Sequence, residues 1–326
     1  MIIDGYRRVH DYLRISLTDH CNLRCAYCMP NEEYDFTPDD RLMSTSDIEA
    51  LSRIFVEMGV KKIRLTGGEP LLRKDADEIL HRLSQLPVQL TITTNATRLH
   101  DHIDSLKAAG VRSLNISLDT LDRTRFQMLT RRDRFDRVMG NIERALHEGF
   151  QVKLNMVVMK GLNEQEIPDF VQLTKDKPLH VRFIEFMPFS GNHWGADKVF
   201  TWQNMLALIS DRHDFMPLEH EANATSKKYQ IPGHAGTFAV ISTMSAPFCG
   251  DCNRIRLTAD GKMKNCLFSR QETDLLGPWR RGEDIRPLIH QGIHDKKEML
   301  GGQFTSDLAS VHTEDMENRS MITIGG

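Results

Sequence analysis

The sequence predicts an α/β fold in which six parallel strands, linked by crossover helices, form an incomplete barrel. Apolar runs with strand character alternate with stretches of helical periodicity over the first two thirds of the chain. Six strand–helix units are found where a closed barrel needs eight. After about residue 190 the alternation stops. We therefore expect residues 1–215 to form the partial barrel and residues 216–326 to form a smaller C-terminal region.

The predicted strands are short apolar runs that are separated by amphipathic stretches. They span residues 13–17, 62–66, 89–94, 113–118, 152–159 and 181–187. The helices predicted between them span residues 47–58, 76–83, 101–109, 135–147 and 164–175. The first helix follows Ser44, a residue type that caps helices, and has Ile48, Leu51 and Phe55 on one face. Each helix fits the crossover that parallel pairing requires.

The C-terminal region has a different pattern. A strand is predicted at 237–243. The turn signal Ala259-Asp260-Gly261 predicts a hairpin between 254–258 and 262–267. The remaining expectations are helices at 272–276 and 283–298 and a polar loop at 220–228.

The composition is that of an ordinary folded protein. Hydrophobic residues make up 40% and charged residues 27% of the 326 residues, which excludes a disordered or collagen-like chain. The net charge of −3 gives no reason to expect nucleic acid or a membrane as the partner, and we interpret the arginine-rich stretch 123–137 as a solvated helix face or loop. No apolar run approaches the ~18 residues of a membrane span, and no secretory signal is apparent, so a cytoplasmic location is expected.

Six cysteines form two groups of three. They are Cys21, Cys25 and Cys28 in the first group and Cys249, Cys252 and Cys266 in the second. Disulfides are one alternative, but thiols stay reduced in the cytosol. A structural zinc site uses four protein ligands, whereas each group offers three. A four-iron cluster has four corners, so three cysteines would hold it and leave one iron free to bind something else.

The first group has the spacing Cys-x3-Cys-x2-Cys, with Tyr27 before the last cysteine, and it follows the first predicted strand. This motif resembles that of the radical S-adenosylmethionine (SAM) enzymes. The resemblance implies a 4Fe–4S cluster whose open iron chelates SAM, and cleavage of SAM to methionine and a 5′-deoxyadenosyl radical. The run 66–70 (Thr-Gly-Gly-Glu-Pro) resembles the family's glycine-rich strand end, which binds the methionine part of SAM. Glycines there would let a ligand approach the backbone closely.

The second group of cysteines makes the resemblance more specific. Together with the segment 253–258 (Asn-Arg-Ile-Arg-Leu-Thr), it resembles the GTP 3′,8-cyclase family of molybdenum cofactor biosynthesis. The likeness covers essentially the whole chain and includes the segments 13–19, 62–71, 182–188 and 324–326. One departure is Ala96, where that family usually has glycine.

This resemblance implies a reaction, cofactors and partners. In the family, GTP is converted to (8S)-3′,8-cyclo-7,8-dihydroguanosine 5′-triphosphate: the 5′-deoxyadenosyl radical removes the hydrogen at C3′ of the ribose, and C3′ attacks C8 of guanine. The implied cofactors are SAM and two 4Fe–4S clusters, the second of which binds the guanine base. The implied partners are an electron donor and a downstream cyclic pyranopterin monophosphate synthase, and a homodimer is compatible with the resemblance.

Basic residues on the predicted strands fit an anionic substrate. They are Arg14, Lys62, Arg64, Lys153 and Arg182. Interior cations are costly to bury without an anionic partner. The triphosphate of GTP carries about four negative charges and needs several fixed cations, which such a set would supply.

The resemblance also assigns roles to individual residues. The implied GTP contacts are Arg14, Lys62, Arg64, Thr93, Lys153, Arg182, Arg254, Ile255 and Arg256. The implied SAM contacts are Tyr27, Gly68, Ser117 and Met187. The implied catalytic residues are Arg254, Arg256, Gly325 and Gly326. Cluster ligation is implied for all six cysteines.

Two alternatives stay open at this stage. Another radical SAM enzyme with two clusters, such as a peptide maturase or a sulfur-insertion enzyme, would share the first cysteine motif but place its other cysteines differently. A non-catalytic zinc-binding scaffold or an electron carrier would need neither the glycine-rich strand end nor the interior cations.

Overall fold

A single twelve-stranded sheet is the framework of the computed structural model, which describes residues 1–31, 33–304, 307, 311 and 316–325. The strands are β1 (Tyr12–Ser16), β2 (Lys62–Thr66), β3 (Gln89–Thr94), β4 (Ser113–Ser117), β5 (Gln151–Val158), β6 (His180–Glu185), β7 (Met216–Pro217), β8 (Lys227–Gln230), β9 (Thr237–Ile241), β10 (Arg254–Leu257), β11 (Lys262–Lys264) and β12 (Thr273–Asp274). The helices are α1 (Thr45–Glu57), α2 (Ala76–Ser84), α3 (Leu99–Ala108), α4 (Arg123–Thr130), α5 (Phe135–His147), α6 (Ile167–Gln172), α7 (Trp202–Ser210), α8 (Leu276–Arg280), α9 (Arg286–His294) and α10 (Met321–Ile324). No described helix is long and apolar enough to cross a membrane.

The sheet is parallel through its centre and open at its edges. Strands β1 to β6 lie side by side in chain order and pair in parallel. The C-terminal region extends both sides of this set, because β10 pairs in parallel with β1 and β9 pairs in parallel with β6. Among the described residues, the outermost strands β12 and β7 do not pair with each other. The predicted incomplete barrel is confirmed. The division of the chain between residues 215 and 216 stays a prediction. Strands on both sides of that point belong to the same sheet.

The two faces of the parallel strands differ in polarity. In β1, Leu13 and Ile15 are fully buried in the hydrophobic core, and they alternate with Tyr12 and Arg14 on the other face. The apolar faces of the strands pack against apolar side chains of helices α1 to α3, α5 and α6. The polar faces line the inner side of the partial barrel, where the predicted basic residues lie.

Helix α1 shows how the sequence fixes one of these crossovers. The Ser44 hydroxyl accepts a hydrogen bond from the Asp47 backbone N–H (3.1 Å), and the Asp47 carboxylate accepts one from the Ser44 N–H (3.0 Å). Ile48, Leu51 and Phe55 then project one fully buried face into the core. Each such side chain contributes about 1.5–3 kcal/mol through burial.

Three expectations for local structure need correction. The helix predicted at 272–276 is wrong, because Thr273–Asp274 pairs with β11 and helix α8 begins only at Leu276. The loop predicted at 220–228 ends in strand β8, which pairs antiparallel with β9. The helix predicted at 283–298 is shorter and spans Arg286–His294. Cross-strand pairing decides the first two cases, and it depends on residues distant in the chain.

A buried carboxylate at the end of β6 connects three parts of the fold. Glu185 is fully buried and accepts hydrogen bonds from the backbone N–H groups of Trp202 (3.0 Å), Met244 (2.9 Å) and Ser245 (3.0 Å). It also accepts a hydrogen bond from the Ser245 hydroxyl. One side chain thereby fixes the start of α7 and the loop after β9.

We expect Glu185→Ala to lower the free energy of unfolding by about 3 kcal/mol or more, because buried N–H donors lose their acceptor. Urea unfolding followed by circular dichroism measures the change. The control is Glu143→Ala, which removes an exposed partner of Lys177 and costs about 0.5 kcal/mol. Equal losses for the two variants would contradict the role of Glu185.

Candidate active site

Both cysteine groups open onto one cavity at the carboxyl ends of the parallel strands, where α/β folds build their sites. The predicted site residues that line this cavity are Arg14, Cys21, Cys25, Tyr27, Cys28, Gly68, Thr93, Ser117, Arg182, Met187, Cys249, Cys252, Arg254, Arg256 and Cys266. Thus the structure brings together residues that are more than 200 positions apart in the sequence.

The loop with the first cysteine group lies directly on the glycine-rich end of β2. A Cβ atom on Gly68 would lie 2.5 Å from the carbonyl oxygens of Asp19 and His20, and one on Gly67 would lie 2.5 Å from the carbonyl oxygen of Thr18. The Gly68 N–H donates a hydrogen bond to that Thr18 oxygen (2.7 Å). We expected these glycines to let a ligand approach the backbone closely. In the structure, the backbone of the cysteine loop makes this close approach, and both glycines also line the cavity.

Glu69 and Asn95 fix the position of Cys21. The buried Glu69 carboxylate accepts hydrogen bonds from the Thr94 hydroxyl (2.7 Å) and the Asn95 N–H (2.6 Å), and burial raises its pKa to about 7. The Asn95 side-chain amide lies 3.7 Å from the Cys21 sulfur. The next residue, Ala96, has φ +60°, a conformation that favours glycine and accounts for the family's usual residue there.

The predicted SAM contacts Tyr27, Ser117 and Met187 share the cavity wall with a residue that the sequence analysis missed. The Tyr27 hydroxyl donates a hydrogen bond to Asp119 (2.7 Å), whose other oxygen accepts one from the Val157 N–H (2.9 Å). Burial raises the pKa of Asp119 to about 6. Asp119 could have been predicted as a site residue from its position just after β4, because parallel strands present polar groups at their carboxyl ends.

Cys252 of the second group lies in a different electrostatic environment from the three thiols of the first group. Burial raises the pKa of Cys21 to about 11 and raises those of Cys25 and Cys28 further. Burial acts in the same direction on Cys252, but the positive charges of Arg254 and Lys296 outweigh it and lower the pKa of that thiol to about 6. The ammonium group of Lys296 donates hydrogen bonds to the Cys252 sulfur (3.3 Å) and to the Arg254 carbonyl oxygen (3.2 Å).

The donor sets fit iron–sulfur clusters. All six cysteines are free thiols. Within the described ranges, no three Cys, His, Asp or Glu side chains surround one point as the ligands of a single ion would. Zinc needs thiolates about 2.3 Å from a common centre, whereas a four-iron cluster binds its cysteines at separate corners. Each group supplies three thiols at the cavity, one fewer than a structural zinc site uses, and three thiolates would hold a four-iron cluster with one corner open.

The inner face of the sheet carries cations in register. Arg14 on β1 lies beside Arg64 on β2 and beside Arg256 on β10. The Nε atom of Arg14 and the Nε and Nη2 atoms of Arg182 are buried and have no hydrogen-bond partner among the described residues. Burial and neighbouring arginines lower the pKa of both guanidiniums, and the main causes within the described part of the chain include no carboxylate. Unpaired buried donors of this kind indicate an anion-binding site.

Lys62, Arg64 and Lys153 lie outside the cavity lining but in the same cluster of charges. Burial and the neighbouring cations, Arg182 first, lower the pKa of Lys153 to about 8. Tyr12, which the sequence analysis missed, accepts a hydrogen bond from Arg64, and the Lys62 ammonium lies 5.1 Å from its ring centre. Tyr12 could have been predicted as a site residue, because it lies two residues before Arg14 in the same strand and therefore on the same face.

The remaining predicted residues differ in their placement. The Arg64 guanidinium is 3.4 Å from the Thr93 hydroxyl. Ile255 is fully buried in the hydrophobic core, so its side chain lies outside the cavity lining. The Gly325 carbonyl oxygen accepts a hydrogen bond from Arg256 (2.7 Å). Gly326 lies outside the described residues.

Comparison with known proteins assigns this geometry to a family. The profile described as Radical SAM superfamily matches residues 15–174, and the one described as Molybdenum Cofactor Synthesis C matches residues 179–301. The chain is 46% identical over 333 residues to "GTP 3′,8-cyclase, mitochondrial" of Arabidopsis thaliana, with 100% of this chain and 84% of the relative covered. The chain belongs to the GTP 3′,8-cyclase family.

Other relatives agree with this family. The GTP 3′,8-cyclase of Listeria welshimeri is 43% identical over 304 residues, covering 90% of this chain and 87% of the relative. The chain spans about half the length of several animal members, such as 54% of Molybdenum cofactor biosynthesis protein 1 of Drosophila melanogaster. The crystal structure of Streptococcus suis SuiB bound to S-adenosylmethionine matches with a TM-score of 0.60 at 19% identity, covering 89% of this chain and 69% of that chain, and this likeness shows the fold alone.

We expect the chain to bind inorganic tripolyphosphate more weakly as the pH rises through 8, because a bound polyanion favours protonated Lys153. If this residue alone titrated, affinity would fall about tenfold between pH 7 and pH 9. Titration calorimetry should show proton uptake on binding at pH 8. Although burial opposes the shift, the positive charges of Arg64 and Arg14 lower the pKa of Tyr12 to about 8, so its phenol titrates in the same range.

The variant Lys153→Met should therefore bind more weakly and show a smaller dependence on pH than the unaltered chain. Ionisation of the tripolyphosphate itself is common to both proteins. Lys61→Met, which alters an exposed lysine beside β2, serves as the control and should keep the full pH dependence. An unchanged pH dependence in Lys153→Met would contradict this assignment.

Proposed function

We propose that this chain is a radical SAM lyase, a GTP 3′,8-cyclase that converts GTP to (8S)-3′,8-cyclo-7,8-dihydroguanosine 5′-triphosphate for molybdenum cofactor biosynthesis. One observation carries the proposal: two three-cysteine groups open onto the same cavity as Arg14 and Arg182, whose buried guanidinium nitrogens include three with no hydrogen-bond partner among the described residues. The cysteines supply sites for cofactors, and the guanidiniums supply a site for a polyphosphate. Family membership supports the same reaction.

In this proposal, Cys21, Cys25 and Cys28 hold a 4Fe–4S cluster beside the SAM site. When bound, the cluster supplies the electron that cleaves SAM, and SAM supplies the radical that removes the C3′ hydrogen of GTP. The chain's own residues position the cofactor. Gly68, Ser117 and Met187 form part of the cavity wall, and Asp119 fixes the Tyr27 hydroxyl next to the cysteine loop.

A second 4Fe–4S cluster on Cys249, Cys252 and Cys266 is part of the same proposal. These cysteines line the cavity with Arg254 and Arg256, so a substrate next to this cluster would also meet two guanidiniums. The guanidinium of Arg254 stacks over the ring of Phe248 (4.9 Å from its centre), which restricts where it can point. Arg254, Arg256, Gly325 and Gly326 are the proposed catalytic residues.

The triphosphate would bind to the cations of the inner face. Arg14 and Arg182 have buried donors that no residue described by the structure accepts, and Arg64 lies in register beside Arg14. Lys62 and Lys153 belong to the same cluster of charges as Arg182 and Arg64. The remaining proposed GTP contacts are Thr93, Arg254, Ile255 and Arg256; because the Ile255 side chain is in the core, its contact would come from the backbone.

Partners and location are also proposals. An electron donor, a downstream cyclic pyranopterin monophosphate synthase and a homodimer agree with the reaction, and neither nucleic acid nor a membrane is proposed. A cytoplasmic location stays a prediction, and the name of the Arabidopsis relative shows that a family member is assigned to mitochondria.

The test is anaerobic reconstitution with iron and sulfide, followed by incubation with SAM, a reductant and GTP deuterated at C3′. We expect deuterium in the 5′-deoxyadenosine and formation of the cyclised nucleotide. 5′-Deoxyadenosine without deuterium would refute GTP as the hydrogen donor while keeping radical SAM chemistry. Folded protein that takes up no iron and leaves SAM intact would refute the enzyme and favour the zinc scaffold.

The two cysteine groups should differ in their mutant behaviour. Cys25→Ala should abolish 5′-deoxyadenosine formation, because the first cluster loses a ligand. Cys252→Ala should keep 5′-deoxyadenosine formation but lose the cyclised nucleotide, because only the second site is altered. Each variant should retain about half of the iron of the reconstituted wild type. Normal product formation by Cys252→Ala would show that the second group has no role in the reaction.

A further inference from the structure

The C-terminal segment enters the cavity near the candidate substrate site. Met321 and Ile322 line the cavity, and Ile324 is buried. Gly325 has φ +84°, and a Cβ atom there would lie 2.6 Å from the Thr66 hydroxyl oxygen, so only glycine fits. Its carbonyl oxygen reaches the guanidinium of Arg256. The C-terminal segment therefore has to be held in the cavity at the position where Gly325 meets Arg256.

Arg319, two residues before α10, connects this segment to the hairpin of β10 and β11. Its guanidinium donates two hydrogen bonds to Asp260, both 2.9 Å long, and a third to Glu272 (2.6 Å). Asp260 is in the hairpin turn, where it also accepts a hydrogen bond from the Thr258 hydroxyl (2.6 Å). The anchor point is thus part of the same strand pair that carries Arg256.

These ion pairs are partly buried, which distinguishes them from ordinary surface pairs. The side chain of Arg319 is 22% exposed, that of Asp260 19% and that of Glu272 17%. The two carboxylates raise the pKa of Arg319 despite its burial, and Arg319 lowers the pKa of Asp260. Bidentate, shielded pairs of this type are stronger than exposed ones.

The same contacts extend to the loop of the third cysteine of the second group. Glu272 lies 3.5 Å from the ammonium group of Lys264, which donates a hydrogen bond to the Ser269 carbonyl oxygen (2.7 Å). The side-chain amide of Asn318 donates one to the Leu267 carbonyl oxygen (3.0 Å). Cys266 lies within this loop, so the segment and the loop share their supports.

We propose that Arg319 is a positioning residue that holds the C-terminal segment in the cavity and keeps Gly325 against Arg256. This inference rests on the proposed function, in which Gly325 and Arg256 act at the substrate. Asp260 and Glu272 are its two anchors. Loss of the anchor would release the segment from the cavity and leave the strand cations, which bind the triphosphate, in place.

The first arm of the test measures the segment itself and needs no substrate. Hydrogen–deuterium exchange of the reconstituted full chain should show the amides of Thr323 and Gly325 exchanging about tenfold faster, or more, in Arg319→Gln than in wild type. The matched control is Arg270→Gln, which removes an exposed guanidinium 3.9 Å from Glu317 and should leave exchange unchanged. Equal exchange in wild type and Arg319→Gln, or equal acceleration in both variants, would overturn the proposal.

The second arm separates positioning from a general loss of stability. For Arg319→Gln we expect kcat for the cyclised nucleotide to fall about tenfold or more while KM for GTP changes less than about twofold. Arg319→Lys, which keeps the charge but loses the bidentate geometry, should recover part of kcat. Faster exchange without a fall in kcat would refute the positioning role. If wild type forms no cyclised nucleotide, the proposed function fails, and the exchange arm still decides whether Arg319 anchors the segment.

Discussion

Positive charge on the inner face of a parallel sheet is the constraint on which this structure depends. Burial and neighbouring arginines lower the pKa values of Arg14, Arg182 and Arg256, and among the described residues no carboxylate is a main cause of the shift of Arg14 or Arg182. Burying guanidiniums in this way opposes folding. The opposite, apolar faces of the same strands offset that cost by packing into the core. A polyanion in the cavity would supply the missing partner.

This constraint also explains why both halves of the chain build one sheet. The strand β10 comes from the C-terminal region, and its parallel pairing with β1 aligns Arg256 with Arg14 and Arg254 with Tyr12. The same region delivers Cys249 and Cys252 to the cavity immediately before that strand. Burial and the nearby Asp119 carboxyl raise the pKa of Cys25, whereas Arg254 and Lys296 lower that of Cys252 against its burial, so these two thiols lie in opposite fields.

Strands β1 to β6 could be predicted from the sequence, because the pattern of apolar residues in a strand is a local property. The sequence was also sufficient for the turn at Ala259-Asp260-Gly261, whose residues specify a hairpin. It did not reveal that β10 lies beside β1 or that Thr273–Asp274 forms a strand, since both depend on pairing between distant segments. The site shows the same limit: cysteine spacing is local, whereas the contact of Lys296 with Cys252 joins positions 44 apart.

The chemistry of the unpaired cavity atoms narrows the ligand further. The Nε atom of Arg14 and two nitrogens of Arg182 can only donate hydrogen bonds, which suits phosphate oxygens. The buried Oδ1 atoms of Asn115 and Asn155, which also lack partners among the described residues, can only accept. Inorganic polyphosphate at neutral pH offers almost no donors for these two oxygens. A nucleotide offers both kinds of group, since its ribose hydroxyls and base amino groups donate while its phosphates accept. The mixture of unpaired donors and acceptors in one cavity therefore favours a nucleotide over a bare polyanion.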